Sequence, residues 1–140
     1  MLQVKSKYFL EMGINQFNKY HKKKLSRDND LTTAIGYVVE QSLELILKQF
    51  SLDLTGEFPQ KHKLEFITSE ILVAISKQSP YSMIKTLELK EAIALVEENV
   101  RLYNNLAYGA KYIPDLTLSV AQLSELIEIT EKLQVIYNKE

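Results

Sequence analysis

The residues best suited to chemistry fall in three stretches of the chain. The first is RLYNNLAYGAKYIP, residues 101–114, where Arg101, Asn104 and Tyr108 stand at i, i+3 and i+7, followed by Lys111 and Tyr112. On a helix the first three share one polar stripe with Glu97. Such a stripe suits a phosphate or a base, with arginine as the fork, asparagine as an amide reader and tyrosine as a stacking platform. The plainer account is an Arg101–Glu97 ion pair, with tyrosines snorkelling at the edge of a core.

The second stretch is KHKL, which sets His62 between Lys61 and Lys63 at the expected start of a helix. There it would help hold an anion at the positive end of the helix dipole, or anchor the helix by bonding a loop carbonyl. The third is the polar arc of a longer helix, carrying Gln41, Glu44 and Lys48. Glu44 and Lys48 are spaced i, i+4 in the favourable order, an arrangement worth about 0.2–0.5 kcal/mol when solvated. The sharper account makes these three a polar face against a partner or ligand. His21, in KYHKKK, belongs to a basic run at a helix end, where cations suit the dipole.

Much chemistry is excluded. With no cysteine, disulfides and thiolate metal sites are ruled out. The two histidines are far apart in sequence, so no zinc site and no metal is expected. There is no glycine-rich phosphate loop and no G-x-S-x-G, and no cofactor is expected. A net charge of −1 calls for no nucleic acid by bulk attraction, so only local patches would bind it. No long uncharged apolar run and no apolar leader segment are evident, which predicts a soluble, cytoplasmic protein with no membrane association.

The elements that must position these residues are helices. All three prolines fall between periodic segments, and Gly56 and Gly109 sit beside such breaks. In residues 2–24, Phe9, Leu10, Gly13, Ile14, Phe17 and Tyr20 share one arc. A second helix is expected over 31–51, capped by Asp30, with Leu31, Ile35, Val38, Val39, Ile46 and Phe50 inward. A third covers 62–77. A fourth runs from 87 to 108, burying Leu89, Ile93, Val96, Val100 and Tyr103, with Gly109 as its left-handed stop. Ser119 and Gln122 form a capping box that opens a fifth helix. The reading is one all-α domain over residues 1–140, an up-down bundle of about five helices with the first two antiparallel.

The run EQSLELILKQFSLDLTGEFPQKHKL resembles the HEPN family (higher eukaryote and prokaryote nucleotide-binding domains). In many members a helix carries an E-x-x-L-K core, followed by a proline-containing loop and a histidine opening the next helix. The matching residues here are Gln41, Glu44, Leu47 and Lys48, then Pro59, His62 and Leu64. AKYIP resembles the A-R-Y-P ending of members that accompany nucleotidyltransferases, with Lys111 in the place of the arginine. The resemblance implies a helical bundle, usually a homodimer paired through later helices, in a small protein that handles RNA or nucleotides. A nucleotidyltransferase-type protein partner, as in a toxin–antitoxin pair, is a further implication.

Nuclease members carry R-x4-6-H, in which histidine moves a proton and arginine binds charge building on phosphorus oxygens. After Arg101 the corresponding positions hold Leu106, Ala107 and Tyr108, and after Arg27 they hold Thr32, Thr33 and Ala34. Tyrosine, titrating near about pH 10, is a poor substitute. The expectation is therefore a non-catalytic HEPN-like protein that dimerises and binds a nucleotide, an RNA or a partner protein. Two rivals stand beside it: a metal-independent ribonuclease using His62 as a displaced histidine, and a plain helical adaptor. Exposed aromatic stripes, including Tyr103, Tyr108 and Tyr112, are the expected dimer surface.

Overall fold

The computed structural model describes residues 1–20, 22–112 and 116–139, and for residues 22, 23, 26, 29 and 109–112 it describes the backbone alone. The chain is an all-α bundle, 83% helical over the described residues. Its elements are α1 (Leu2–Lys19), a short α2 (Lys22–Arg27), α3 (Asn29–Thr55), α4 (Leu64–Lys77), α5 (Met83–Glu98), α6 (Val100–Tyr112) and α7 (Val120–Asn138). No strand occurs among the described residues. No helix is long and apolar enough to cross a membrane.

The long α3 is the central element, buried along Ile35, Val39, Leu43, Ile46, Leu47 and Phe50. Its antiparallel partner is α1, since Gln3 meets Gln49 and Ser6 meets Ser42. The two approach closely at Gly13, where a Cβ would collide with Val39 Cγ2. The helix α7 closes the other side through Leu123, Leu126, Leu133 and Ile136. A chain of polar contacts joins all three. Gln134 donates to Ser6 Oγ at 2.7 Å, Gln3 donates to Gln134 at 3.1 Å, and the Tyr137 hydroxyl donates to Asp53 at 2.6 Å.

Several helix ends differ from the sequence expectation. The cap of α3 is Asp28, whose carboxylate accepts from Leu31 N at 2.9 Å. Asp30 instead lies in the first turn, where its charge complements the dipole. The first helical segment breaks at Tyr20, which is extended. The segment expected as one helix over 87–108 begins at Met83 and breaks at Asn99, leaving α5 and α6 as separate elements. Gly109 is helical, because α6 runs on to Tyr112, and the left-handed glycine is Gly56 (φ 77°), which ends α3. The capping box of Ser119 and Gln122 is present as expected.

The loop after Gly56 folds back along α3 before α4 begins, and Pro59 is buried on the way. Consequently His62 returns to the level of Lys48, while Glu70 on α4 accepts from Ser51 on α3 at 3.1 Å. α4 therefore lies alongside α3 in the same sense, its start near Lys48 and its end near the end of α3. This loop geometry places the candidate site.

Candidate functional site

Glu44, Lys48 and His62 come together. The ammonium of Lys48 lies 2.8 Å from His62 Nδ1 and 3.6 Å from Glu44 Oε2, and His62 Nδ1 lies 3.8 Å from Glu44 Oε1. An ammonium has only donors, so His62 accepts at Nδ1 and carries its proton on Nε2. The imidazole is 71% exposed, whereas the Lys48 side chain is buried. The pair is thus no solvated surface bridge. It sits under the returning loop, with Phe58 spread 6.0 Å from the lysine nitrogen.

Gln41 is half-buried and donates to Glu40 at 3.1 Å. Glu40 is buried and its carboxyl is pushed up to about 8, first by burial and then by the charge of Glu44. At neutral pH it holds its proton, one helical turn before Glu44. The sequence reading passed over Glu40. Its position offers a signal, four residues after Gly36 and three before Leu43, both of which are buried.

On α6 the stripe divides. Asn104 accepts from Leu64 N at 3.0 Å and donates to Glu65 at 2.5 Å, so it caps α4 from a neighbouring helix. It is not free to read a base. Arg101 is exposed and makes no ion pair among the described residues. The expected Arg101–Glu97 pair does not form among the described residues, and the break between α5 and α6 at Asn99 lies between the two. Tyr108 is exposed, and Tyr103 is buried, so Tyr103 contributes nothing to an outer aromatic surface. The side chains of Lys111 and Tyr112, and the whole of His21, lie outside the described residues.

Asn104 bonds the residue two positions beyond His62, which brings the α6 stripe to the edge of the Glu44–Lys48–His62 cluster. That edge carries lysines, an arginine, the Glu65 carboxylate and two aromatic rings. Lys61, His62, Lys63 and Arg101 are exposed, as are Phe58 and Phe66, and Lys61 lies 4.2 Å over the Phe66 ring. No hydrogen bond or ion pair joins His62 to Arg101 among the described residues. No group of three or more metal-ligating side chains occurs among the described residues. Beside the edge, between the returning loop, the end of α3 and α4, lies a cleft of about 690 Å³.

Comparison of the chain with family models, with curated proteins and with solved structures finds no match.

Proposed function

We propose that this chain is a non-catalytic, HEPN-like helical protein that binds a nucleotide or RNA through its phosphates at the edge where α6 meets the segment before α4. The observation that carries the reading is the Lys48–His62 contact at 2.8 Å. It pins the loop bearing Lys61, His62 and Lys63 against α3, and the Asn104–Leu64 bond sets the start of α4 against α6, the helix that carries Arg101. Phe66 and Tyr108 are exposed aromatic rings that would serve for base stacking. The residues behind the resemblance, Glu44, Lys48 and His62, act here as the clasp that holds the loop in place.

The same contact argues against catalysis. A general base needs a free nitrogen lone pair. In His62 the Nδ1 lone pair is engaged by the Lys48 ammonium.

Binding of a fluorescent oligouridylate or of ATP, followed by anisotropy or calorimetry at two salt concentrations, tests the reading. Arg101→Ala and Lys61→Ala should each weaken binding by about 1–3 kcal/mol, the cost of losing a charge-assisted hydrogen bond. Equal binding by wild type and both variants would refute the binding edge. Metal-independent RNA cleavage that vanishes in His62→Ala would refute the non-catalytic assignment.

A further inference from the structure

The outward face of α1 is apolar although the helix has already buried its other face. Ser6 and Gly13 meet α3, and Leu10 is buried between them. Opposite these residues, at 100° per residue, run Val4, Tyr8 and Met12, spaced i, i+4 and i+8. Val4 is 61% exposed, Tyr8 64% and Met12 37%, and Met1, one turn before Val4, is 81% exposed. From Val4 to Met12 the stripe is about 12 Å long at the helical rise. A helix apolar on both faces is normally covered on both.

Cations frame this stripe. Lys5 and Lys7 are exposed on its two sides. At its far end Lys19 and Lys24 converge on the Tyr20 ring, 5.7 and 5.2 Å from its centroid. Glu11 is the only carboxylate on α1. The chain as a whole is uneven in the same sense. Residues 1–27 hold seven lysines and arginines against Glu11 alone, while residues 28–140 hold ten against seventeen aspartates and glutamates. The net charge of −1 therefore conceals a strongly cationic start on an otherwise anionic chain.

We infer that the outer face of α1 docks on the surface of an anionic lipid bilayer. An apolar stripe flanked by lysines is the pattern of an interfacial helix, whose apolar side chains sink among the headgroups while its cations meet lipid phosphates. Tyr8 suits that depth, with its ring in the apolar layer and its hydroxyl wetted. Lys5 and Lys7 have stems long enough to reach the headgroups from either side. An RNA would satisfy the lysines but leave Val4 and Met12 in water. An acidic protein would need a groove shaped to a helix whose inner half is already sunk in its own bundle, whereas a bilayer needs none. The contact is peripheral, since no helix among the described residues is long and apolar enough to cross a membrane. Neither a spanning run nor a leader segment, whose absence predicted no membrane association, is needed for a contact of this kind. The inference makes no use of the α6 edge.

Vesicle flotation tests it, with phosphatidylcholine alone and with phosphatidylcholine containing about one-third phosphatidylserine. Wild type should float with the anionic vesicles and not with the neutral ones, and about 1 M salt should weaken the binding. Val4→Ser combined with Tyr8→Ser should lower binding at least about tenfold, and so should Lys5→Gln combined with Lys7→Gln and Lys19→Gln. All five side chains are exposed, so circular dichroism should not change. The chain has no tryptophan, so Tyr8→Trp supplies a single reporter, whose emission should shift to the blue on anionic vesicles as the ring leaves water. A wild type that ignores anionic vesicles, equal binding to both kinds, an unshifted reporter, or undiminished binding by the Val4 and Tyr8 variant would overturn the inference. So would an oligouridylate or a polyglutamate that binds where vesicles do not and is lost in the triple lysine variant, which would give this face to a nucleic acid or an acidic protein.

Discussion

Asn104 on α6 accepts the Leu64 amide proton at 3.0 Å and thereby caps a helix forty residues away in sequence. The local cap residue of α4, Lys63, makes no side-chain bond to the helix. Asn104→Ala should therefore cost about 1–2 kcal/mol, the usual loss for an N-cap. Urea unfolding measures it. Asn104→Asp keeps the accepting oxygen but sets a carboxylate against Glu65, so it should recover only part of the loss.

Tyr103 presents the opposite case. Its buried hydroxyl has no hydrogen-bond partner among the described residues, and burial, then the Glu125 charge, pushes its pKa up. Tyr103→Phe removes an unsatisfied polar atom and keeps the ring. The expected change is between zero and about 1 kcal/mol of added stability. A loss of more than that in thermal or chemical unfolding would reveal a hydrogen bond to the hydroxyl.

Glu40 should make stability depend on pH. Its folded pKa of about 8 lies above the ordinary value of 4.5, so the folded state holds the proton more tightly. Stability from this group is then fully present below the ordinary value and is lost as pH rises toward about 8. The slope reaches at most about 1.4 kcal/mol per pH unit. Glu40→Gln should flatten that slope and leave the variant more stable than wild type at pH 8, as pH-resolved urea melts would show.

Lys48 and Glu44 form a pair whose value depends on both partners. Lys48→Met alone leaves Glu44 beneath the loop without its cation, and should cost about 3–5 kcal/mol. Adding Glu44→Gln to it should return much of that loss. A double-mutant cycle in which the two changes simply add would show that the residues do not interact.

The helical stripes were legible because burial follows the 3.6-residue period, as Leu123, Leu126, Ile127 and Leu133 show in α7. The capping box was legible because both of its partners lie within four residues. The break at Asn99 was not, since Val96, Val100 and Tyr103 keep helical spacing across it and no glycine or proline marks it. The clasp residues could be named in advance, but the burial of Lys48 could not. It depends on a loop that returns to α3 instead of leaving it. Asn104 was read as a ligand contact for a similar reason: an exposed amide and a remote cap look alike until the partner helix is in place.

The polar chain that ties α1 to α7 also sets how the molecule would respond to force. Gln3, near the start of α1, bonds Gln134, near the end of α7, so the two helices run antiparallel with their outer ends side by side. A pull applied through those ends does not shear the helices past one another. It peels them apart, breaking the Gln3–Gln134 contact first, then Gln134–Ser6, one rung at a time. Such a molecule should yield at low tension, however well it withstands heat or denaturant.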